Sequence, residues 1–283
     1  MVIFSDPQEL RNYLFEQKKE GKRVGFVPTM GALHNGHLSL VNRAKSSCEV
    51  VVVSIFVNPT QFNDSADLEK YPRHVEHDCQ KLESVDCDVV FLPQVKDVYP
   101  EGTEGVQTYD YGLLTSVMEA ERRPGHFDGV IAVVRKFLLM VEPDVAFFGQ
   151  KDFQQLAIIR HMVRKEGLPT TIVSCEIIRE EDGLAMSSRN ERLSKEERIA
   201  AKLLSKCLFK MDVLRHAMTV EEIQKWLEDE FDSEPLVKLE YFCVADAQTL
   251  EPCTSWRDAF EMVCCIAVYV GEVRLIDNLI IRA

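Results

Sequence analysis

The sequence R-V-G-F-V-P-T-M-G-A-L-H-N-G-H-L-S-L occupies residues 23–40, and its reading decides the fold. Residues 24–28 form an apolar run of strand type. The run enters a turn of small residues that carries His34 and His37 around Gly36. Leu38, Ser39, Leu40 and Val41 then take up helical periodicity. Two imidazoles therefore stand where a strand hands over to a helix N-terminus. Such a junction offers free backbone N–H groups and the positive end of a helix dipole, and both suit phosphate. The stretch reads as a nucleotide-phosphate site, with the second substrate and a lid supplied by the rest of the chain.

Working outward, strand and helix alternate. Residues 6–19 predict a helix, with Ser5 or Asp6 as cap and Pro7 in the first turn. Residues 49–57, E-V-V-V-V-S-I-F-V, form an apolar run interrupted only by Ser54 after the opening Glu49, the mark of a strand covered on both faces. They empty into a polar turn at residues 58–63. Residues 74–84 predict a helix, 88–92 a strand, 129–141 an apolar helix and 144–148 a strand. A turn at 149–151, a helix over 152–166 capped by Asp152, and a strand over 170–178 follow. The alternation predicts a doubly wound, Rossmann-like α/β domain with a parallel sheet over residues 1–176. Its ligand loops should share the carboxyl edge of the sheet. Residues 177–283 change character. A polar loop leads to a helix over 194–218, opened by a Ser194–Glu197 capping box, and a second helix over 220–231. Three strand-like runs at 237–244, 262–270 and 273–281 follow, the last two joined at Gly271-Glu272. This predicts a smaller α+β C-terminal lid domain.

Composition limits the partners. The 283 residues are 46% hydrophobic and 28% charged, and the formal net charge is -13. An acidic chain without a long Lys/Arg run is not expected to bind nucleic acid. No window has the apolar length of a membrane span, and a cytoplasmic location is expected. The nine cysteines are scattered and odd in number, with no C-x-x-C pair, as for reduced, packed thiols.

Several side chains can carry chemistry. His34 and His37 can donate to phosphate oxygens or belong to an ordinary strand–helix turn. Lys151 can reach a phosphate as a point charge, or be a solvated turn residue. Ser187, Ser188 and Arg189 can clamp a polyphosphate, although Ser-Ser-Arg is a short pattern. Gln61 can bind a small polar substrate or be a buried structural amide. His74 and His77, near Glu76 and Asp78, are better read as an exposed helix face than as a zinc site. Arg122 and Arg123 lie in a basic loop. Taken together, these groups point to nucleotide chemistry by positioning and electrostatics, without a covalent enzyme intermediate.

Residues 28–37, P-T-M-G-A-L-H-N-G-H, resemble the H-x-G-H signature of the nucleotidylyltransferase superfamily. Residues 186–190, M-S-S-R-N, resemble its second signature. More narrowly, F-V-N-P-T-Q-F (56–62), Y-P-R (71–73), R-P-G-H-F-D-G-V (123–130), F-F-G-Q-K-D-F-Q-Q (147–155) and R-L-I-D-N (274–278) resemble the pantothenate synthetase family over essentially the full length. The resemblance implies that ATP and (R)-pantoate give pantoyl-adenylate and pyrophosphate. The amine of β-alanine then displaces AMP to give pantothenate, on the route to coenzyme A. It further implies that Met30, Gly31, Ala32, Leu33, His34, Asn35, Gly36 and His37 line the ATP site, with His37 as proton donor. Gly149, Gln150, Lys151, Asp152, Ile178, Met186, Ser187, Ser188 and Arg189 would complete that site, and Lys151 and Arg189 would neutralise phosphate charge. Gln61 and Gln155 would hold pantoate, with Gln61 also near β-alanine, and Asp78 would help position Mg2+. ATP with Mg2+ is expected as substrate, with no tightly bound organic cofactor, in a homodimer. The chain departs from many relatives at Ala185, where they carry lysine. Two competing readings are a nucleotidylyltransferase acting on another small substrate and a non-catalytic nucleotide sensor.

Overall fold

The computed structural model of the chain describes residues 1–63 and 65–282; Ala283, at the end of the expected second domain, lies outside the described residues. The chain gathers into two compact units. The first comprises residues 1–111, 119–150 and 155–176, and the second comprises 112–118, 151–154 and 177–283.

In chain order the elements up to residue 176 are β1 (Val2–Phe4), α1 (Pro7–Lys19), β2 (Val24–Thr29), α2 (Asn35–Lys45), β3 (Val50–Ile55), α3 (Ser65–Glu69), α4 (Val75–Glu83), β4 (Val89–Phe91), α5 (Val95–Val98), α6 (Glu119–Arg122), α7 (His126–Val141), β5 (Val145–Gly149), α8 (Phe153–Glu166) and β6 (Thr171–Cys175). Asp6 caps α1 by accepting from the N–H groups of Gln8 and Glu9. The six strands form one parallel sheet in the order β1-β4-β3-β2-β5-β6. All six residues of β3 are buried, as its unbroken valine run requires. The chain steps outward from β2 through β3 to β4 and then returns to the far side of β2 with β5. The order therefore reverses between β2 and β5, and the loops leaving their carboxyl ends flank the crevice where doubly wound sheets take ligands. Those loops are the histidine turn and Gly149-Gln150.

The expected elements shift in a few places. β1 is an edge strand of three residues, too short to show a period. The helix expected over 129–141 begins three residues earlier, at His126, so that histidine of the Pro-Gly-His segment opens its first turn. The strand expected to reach residue 178 ends at Cys175. The loop-rich section expected over 93–111 includes the single-turn helix α5.

In the second unit, α9 (Lys195–Ala200), α10 (Lys202–Leu214) and α11 (Val220–Asp232) precede β7 (Val237–Asp246), β8 (Glu261–Val270) and β9 (Val273–Arg282). The single helix expected over 194–218 is two, because a tighter i→i+3 bond from the Leu204 N–H to Ala201 O interrupts the ladder. Ser194 and Glu197 form the expected capping box. The strands make an antiparallel sheet in the order β7-β8-β9, with Val270 opposite Val273 across the hairpin. Leu204, Leu208 and Met211 of α10, Ile223 and Leu227 of α11, and Met262, Cys264 and Ile266 of β8 share one core.

All nine cysteines are free thiols, and seven are buried. Burial pushes Cys87 and Cys207 up to about 12 and pushes Cys264 up as well. A raised pKa keeps a thiol protonated, and only the thiolate reacts. In the folded protein at pH 8, a thiol-specific disulfide reagent is therefore expected to modify the half-exposed Cys79 and Cys243 first and to spare Cys87, Cys207 and Cys264. Mass mapping of the labelled protein checks this, and early labelling at Cys87 would contradict it.

Candidate active site

Thr29 ends β2, and its hydroxyl donates to Ser54 O (2.7 Å) on the paired strand β3. Its Oγ1 in turn accepts from the Gly31 N–H (3.2 Å). Gly31 has φ +79°, and a Cβ there would lie 3.0 Å from both Asp78 Oδ2 and Ile55 Cγ2, so glycine alone fits. Ala32 follows at φ +48°, a left-handed conformation that costs an L-residue on the order of 1 kcal/mol. Asp78 of α4 holds this strained turn: Oδ2 accepts from the Ala32 N–H (2.9 Å) and Oδ1 from the Leu33 N–H (2.7 Å). Lys81, one helical turn on, donates to Leu33 O. The turn is thus gripped at both its N–H and C=O groups from one face of α4.

His34 and His37 cap α2 with their rings. His34 Nδ1 accepts from the Gly36 N–H (3.1 Å), and His37 Nδ1 accepts from the His34 N–H (3.3 Å). The ring centroids are 4.0 Å apart. A nitrogen that accepts from an amide carries no proton, so each neutral imidazole holds its proton on Nε2. Each ring therefore carries an Nε2–H donor at the helix start. This revises the expectation of free backbone donors. The N–H groups of Gly31, Ala32, Leu33, His34, Gly36, His37 and Leu38 all have partners within the protein.

A second constellation follows β3. Asn58, only 1% exposed, donates through Nδ2 to Gln61 Oε1 (3.0 Å) and to Gly129 O (3.1 Å). Its Oδ1 accepts from the hydroxyls of Tyr99 (2.8 Å) and Thr60 (3.0 Å). With Oε1 taken, the Gln61 amide turns its Nε2 towards Met30 Sδ, at 3.1 Å. Gln61 and Met30, from turns after adjacent strands, are thereby brought together at one strand edge.

The phosphate-clamp candidates of the second unit share a different support. Arg179 meets Asp277 of β9 in a bidentate pair (2.6 and 3.0 Å), and also donates to Gly183 O. Asn278, the next residue, donates to Lys151 O (2.8 Å). The Met186 N–H returns to Ile178 O (3.0 Å), and Ser187 Oγ accepts from the Arg189 N–H (3.3 Å) at the start of a 3-10 turn, Ser188–Arg192. Two neighbouring residues of β9 therefore anchor both the Lys151 backbone and the loop that carries Ile178 and Met186 to Arg189. Arg198, hydrogen-bonded to Asp182 in that loop, holds the Asp182 carboxyl below its ordinary value.

Of the residues expected from sequence, Met30 to His37, Gln61, Asp78, Gly149, Gln150 and Gln155 belong to the first unit. Lys151, Asp152, Ile178 and Met186 to Arg189 belong to the second. Gln155 is half-buried, whereas its neighbour Gln154 is spent on the carbonyls of Leu114 and Val117. Asp78, expected to help position Mg2+, is 1% exposed and gives both oxygens to backbone N–H groups. His74, Glu76 and His77 are exposed, and no cluster of three His, Cys, Asp or Glu side chains suited to a metal occurs among the described residues. Arg123, read as part of a basic loop, instead contacts His126 and Glu119. The supporting roles of Asn58, Tyr99, Lys81, His126 and Asp277 were not read from the sequence. Of these, Asn58, His126 and Asp277 do sit inside quoted motifs.

Comparison with known proteins covers the whole chain. The family model described as pantoate-beta-alanine ligase matches residues 2–280. The pantothenate synthetase of Porphyromonas gingivalis strain W83 is 50% identical over 279 residues, spanning 99% of each chain. That of Phocaeicola vulgatus is 51% identical over 280 residues, again spanning 99% of each. Among solved structures, the pantothenate synthetase of Thermus thermophilus superposes with a TM-score of 0.91 at 41% identity over 99% of both chains. A pantoate-beta-alanine ligase from Francisella tularensis, complexed with beta-gamma ATP and beta-alanine, gives 0.82 at 35% identity over 99% of this chain and 97% of that one.

The grip on the histidine turn is testable. Asp78→Ala orphans two buried N–H groups and is expected to lower stability by at least about 2 kcal/mol. Urea unfolding measures the loss, and a change below ~0.5 kcal/mol would remove Asp78 from this role.

Proposed function

Because the chain belongs to the pantoate–β-alanine ligase family, we propose that its histidine turn is the phosphate side of an adenylation site. The enzyme joins (R)-pantoate to β-alanine with ATP and releases AMP and pyrophosphate. The observation that carries the site reading is the pair of Nε2–H donors fixed on His34 and His37 by their Nδ1 bonds. In the first step a pantoate carboxylate oxygen attacks the α-phosphorus, the new O–P bond forms, and the bond to pyrophosphate breaks. Negative charge grows on the phosphoryl oxygens and on the departing pyrophosphate. Two neutral imidazole donors of fixed tautomer stabilise that charge with no reorganisation, and His37 is the proton donor of this reading. Lys151 and Arg189 supply the remaining positive charge, Arg189 as a fork and Lys151 as a point. In the second step the β-alanine amine attacks the acyl carbon, AMP leaves, and the amine sheds a proton. Pantoyl-adenylate is open to hydrolysis, which gives the second unit its proposed role as a lid that keeps water out.

Gln61, with Oε1 held by Asn58 and one Nε2–H turned to Met30 Sδ, offers its other Nε2–H to pantoate, and Gln155 offers a second amide. Mg2+ enters with ATP, as part of the substrate. Asp78 does not suit a direct ligand role, since both its oxygens face backbone N–H groups, and we assign it to holding the turn. The protein is proposed to act as a homodimer in the cytoplasm; sedimentation of the purified chain tests the first point. No helix among the described residues is long and apolar enough to cross a membrane.

Incubation with ATP, Mg2+, pantoate and β-alanine should yield AMP, pyrophosphate and pantothenate. ADP as product, or turnover indifferent to β-alanine, would overturn the reading. His37→Ala is expected to lower kcat by at least ~100-fold while destabilising the fold only by the loss of one capping bond, about 1 kcal/mol, and a variant that is largely unfolded under the assay conditions would return His37 to a structural role. Gln61→Ala is expected to raise the KM for pantoate ~10-fold, consistent with loss of hydrogen bonds worth about 1.4 kcal/mol, while the KM for ATP stays within about twofold. Equal rises in both would refute the assignment.

A further inference from the structure

The first turn of α7 does more than start a helix. His126 is 6% exposed, and both of its ring nitrogens are engaged. Nε2 lies 3.0 Å from Arg123 Nη1, and Nδ1 lies 2.7 Å from the main-chain oxygen of Gln61. A guanidinium can only donate, so Nε2 accepts. Nδ1 then carries the proton and donates it to Gln61 O. One tautomer satisfies both bonds. Arg123 is itself placed beside the buried carboxylate of Glu119, at 3.9 Å. Three residues after His126, Gly129 packs so closely that a Cβ would sit 2.3 Å from Thr60 O and 2.7 Å from Gln61 N. Its own carbonyl takes the Asn58 amide that also fixes Gln61 Oε1. Helix α7 thus contacts the turn of residues 58–61 through a ring, a bare Cα and a carbonyl, and these act on Gln61, on Thr60 beside it, and on Asn58, which holds the Gln61 side chain.

We propose that His126 is a positioning residue for the substrate amide of Gln61. Its Nδ1–H fixes the Gln61 main chain, while the Asn58 amide, itself held by Gly129 O, fixes the side chain. Gln61 then presents the Nε2–H not turned to Met30 in one orientation to the anionic, hydroxylated acid. The inference rests on the assignment of Gln61 to pantoate made above. It gives the Arg-Pro-Gly-His segment a part in substrate affinity without contact with substrate.

The test is a double-mutant cycle in the steady-state assay, with separate KM values for pantoate and ATP. His126→Ala is expected to raise the KM for pantoate by about fivefold or more and to leave that for ATP within about twofold. His126→Asn, whose amide can donate from near the Nδ1 position, should recover most of the loss. It also serves as the folded reference should the alanine variant be unstable. In the Gln61→Ala background, His126→Ala should add less than about twofold. An unchanged pantoate KM in His126→Ala, equal rises for both substrates, no rescue by asparagine, or full additivity with Gln61→Ala would each overturn the proposal. The reading beneath it fails separately: if Gln61→Ala alone leaves the pantoate KM unchanged, Gln61 is not a pantoate ligand, and His126 has nothing to position.

Discussion

Between Gly31 and Leu38 the backbone is asked to turn from a buried strand into a helix within a few residues, and nearly every N–H on the way is satisfied inside the protein. Thr29, Asp78, His34 and His37 accept those N–H groups. An unsatisfied buried N–H costs roughly 1–3 kcal/mol, so the partners are what allow a left-handed Ala32 to persist. The same accounting sets the chemistry. By accepting from the backbone through Nδ1, each histidine is left in the tautomer that donates through Nε2. Capping and the proposed phosphate contact are two ends of the same ring. A pattern that resembles a phosphate-binding nest thus has its backbone donors spent internally, and the side-chain donors of the proposed site can be removed one at a time.

The fold was legible in the sequence wherever burial imposed a long, simple pattern. The valine run of β3 could only be a strand covered on both faces, and the alternation around it could only be doubly wound. Three-residue β1 was invisible because three residues carry no period. The start of α7 was misplaced because Pro124 and Gly125 read as loop, although Gly125 at φ +78° lies immediately before the first helical residue. The division of residues 194–218 into two helices was hidden because Ala201 has high helix propensity and nothing local marks the tighter turn.

In the candidate site, the residues proposed to donate or carry charge lie in short motifs that the sequence shows, whereas the contacts that hold them in place cannot be read from those motifs. Asp78 lies 46 positions from Ala32, and His126 lies 65 from Gln61. No local pattern connects such pairs. Asp78 illustrates the risk: a lone carboxylate in a phosphate-handling protein invites a metal role, yet its burial and its two amide partners indicate an anchor. Asp277 and Asn278 make the same point, since one of two adjacent strand residues fixes a guanidinium and the other a backbone carbonyl.

The thiols allow a different kind of observation. Cys87 sits just before β4 in the first unit, and Cys207 lies in the core of the second. Each is buried and held protonated chiefly by that burial. Each can ionise and meet a reagent only when its surroundings open, so the rate at which it is modified is a clock for that opening. The chain thus carries an intrinsic reporter in each compact unit. Their two rates, followed with and without nucleotide, would separate loosening of the Rossmann-like sheet from loosening of the three-stranded one without any added label.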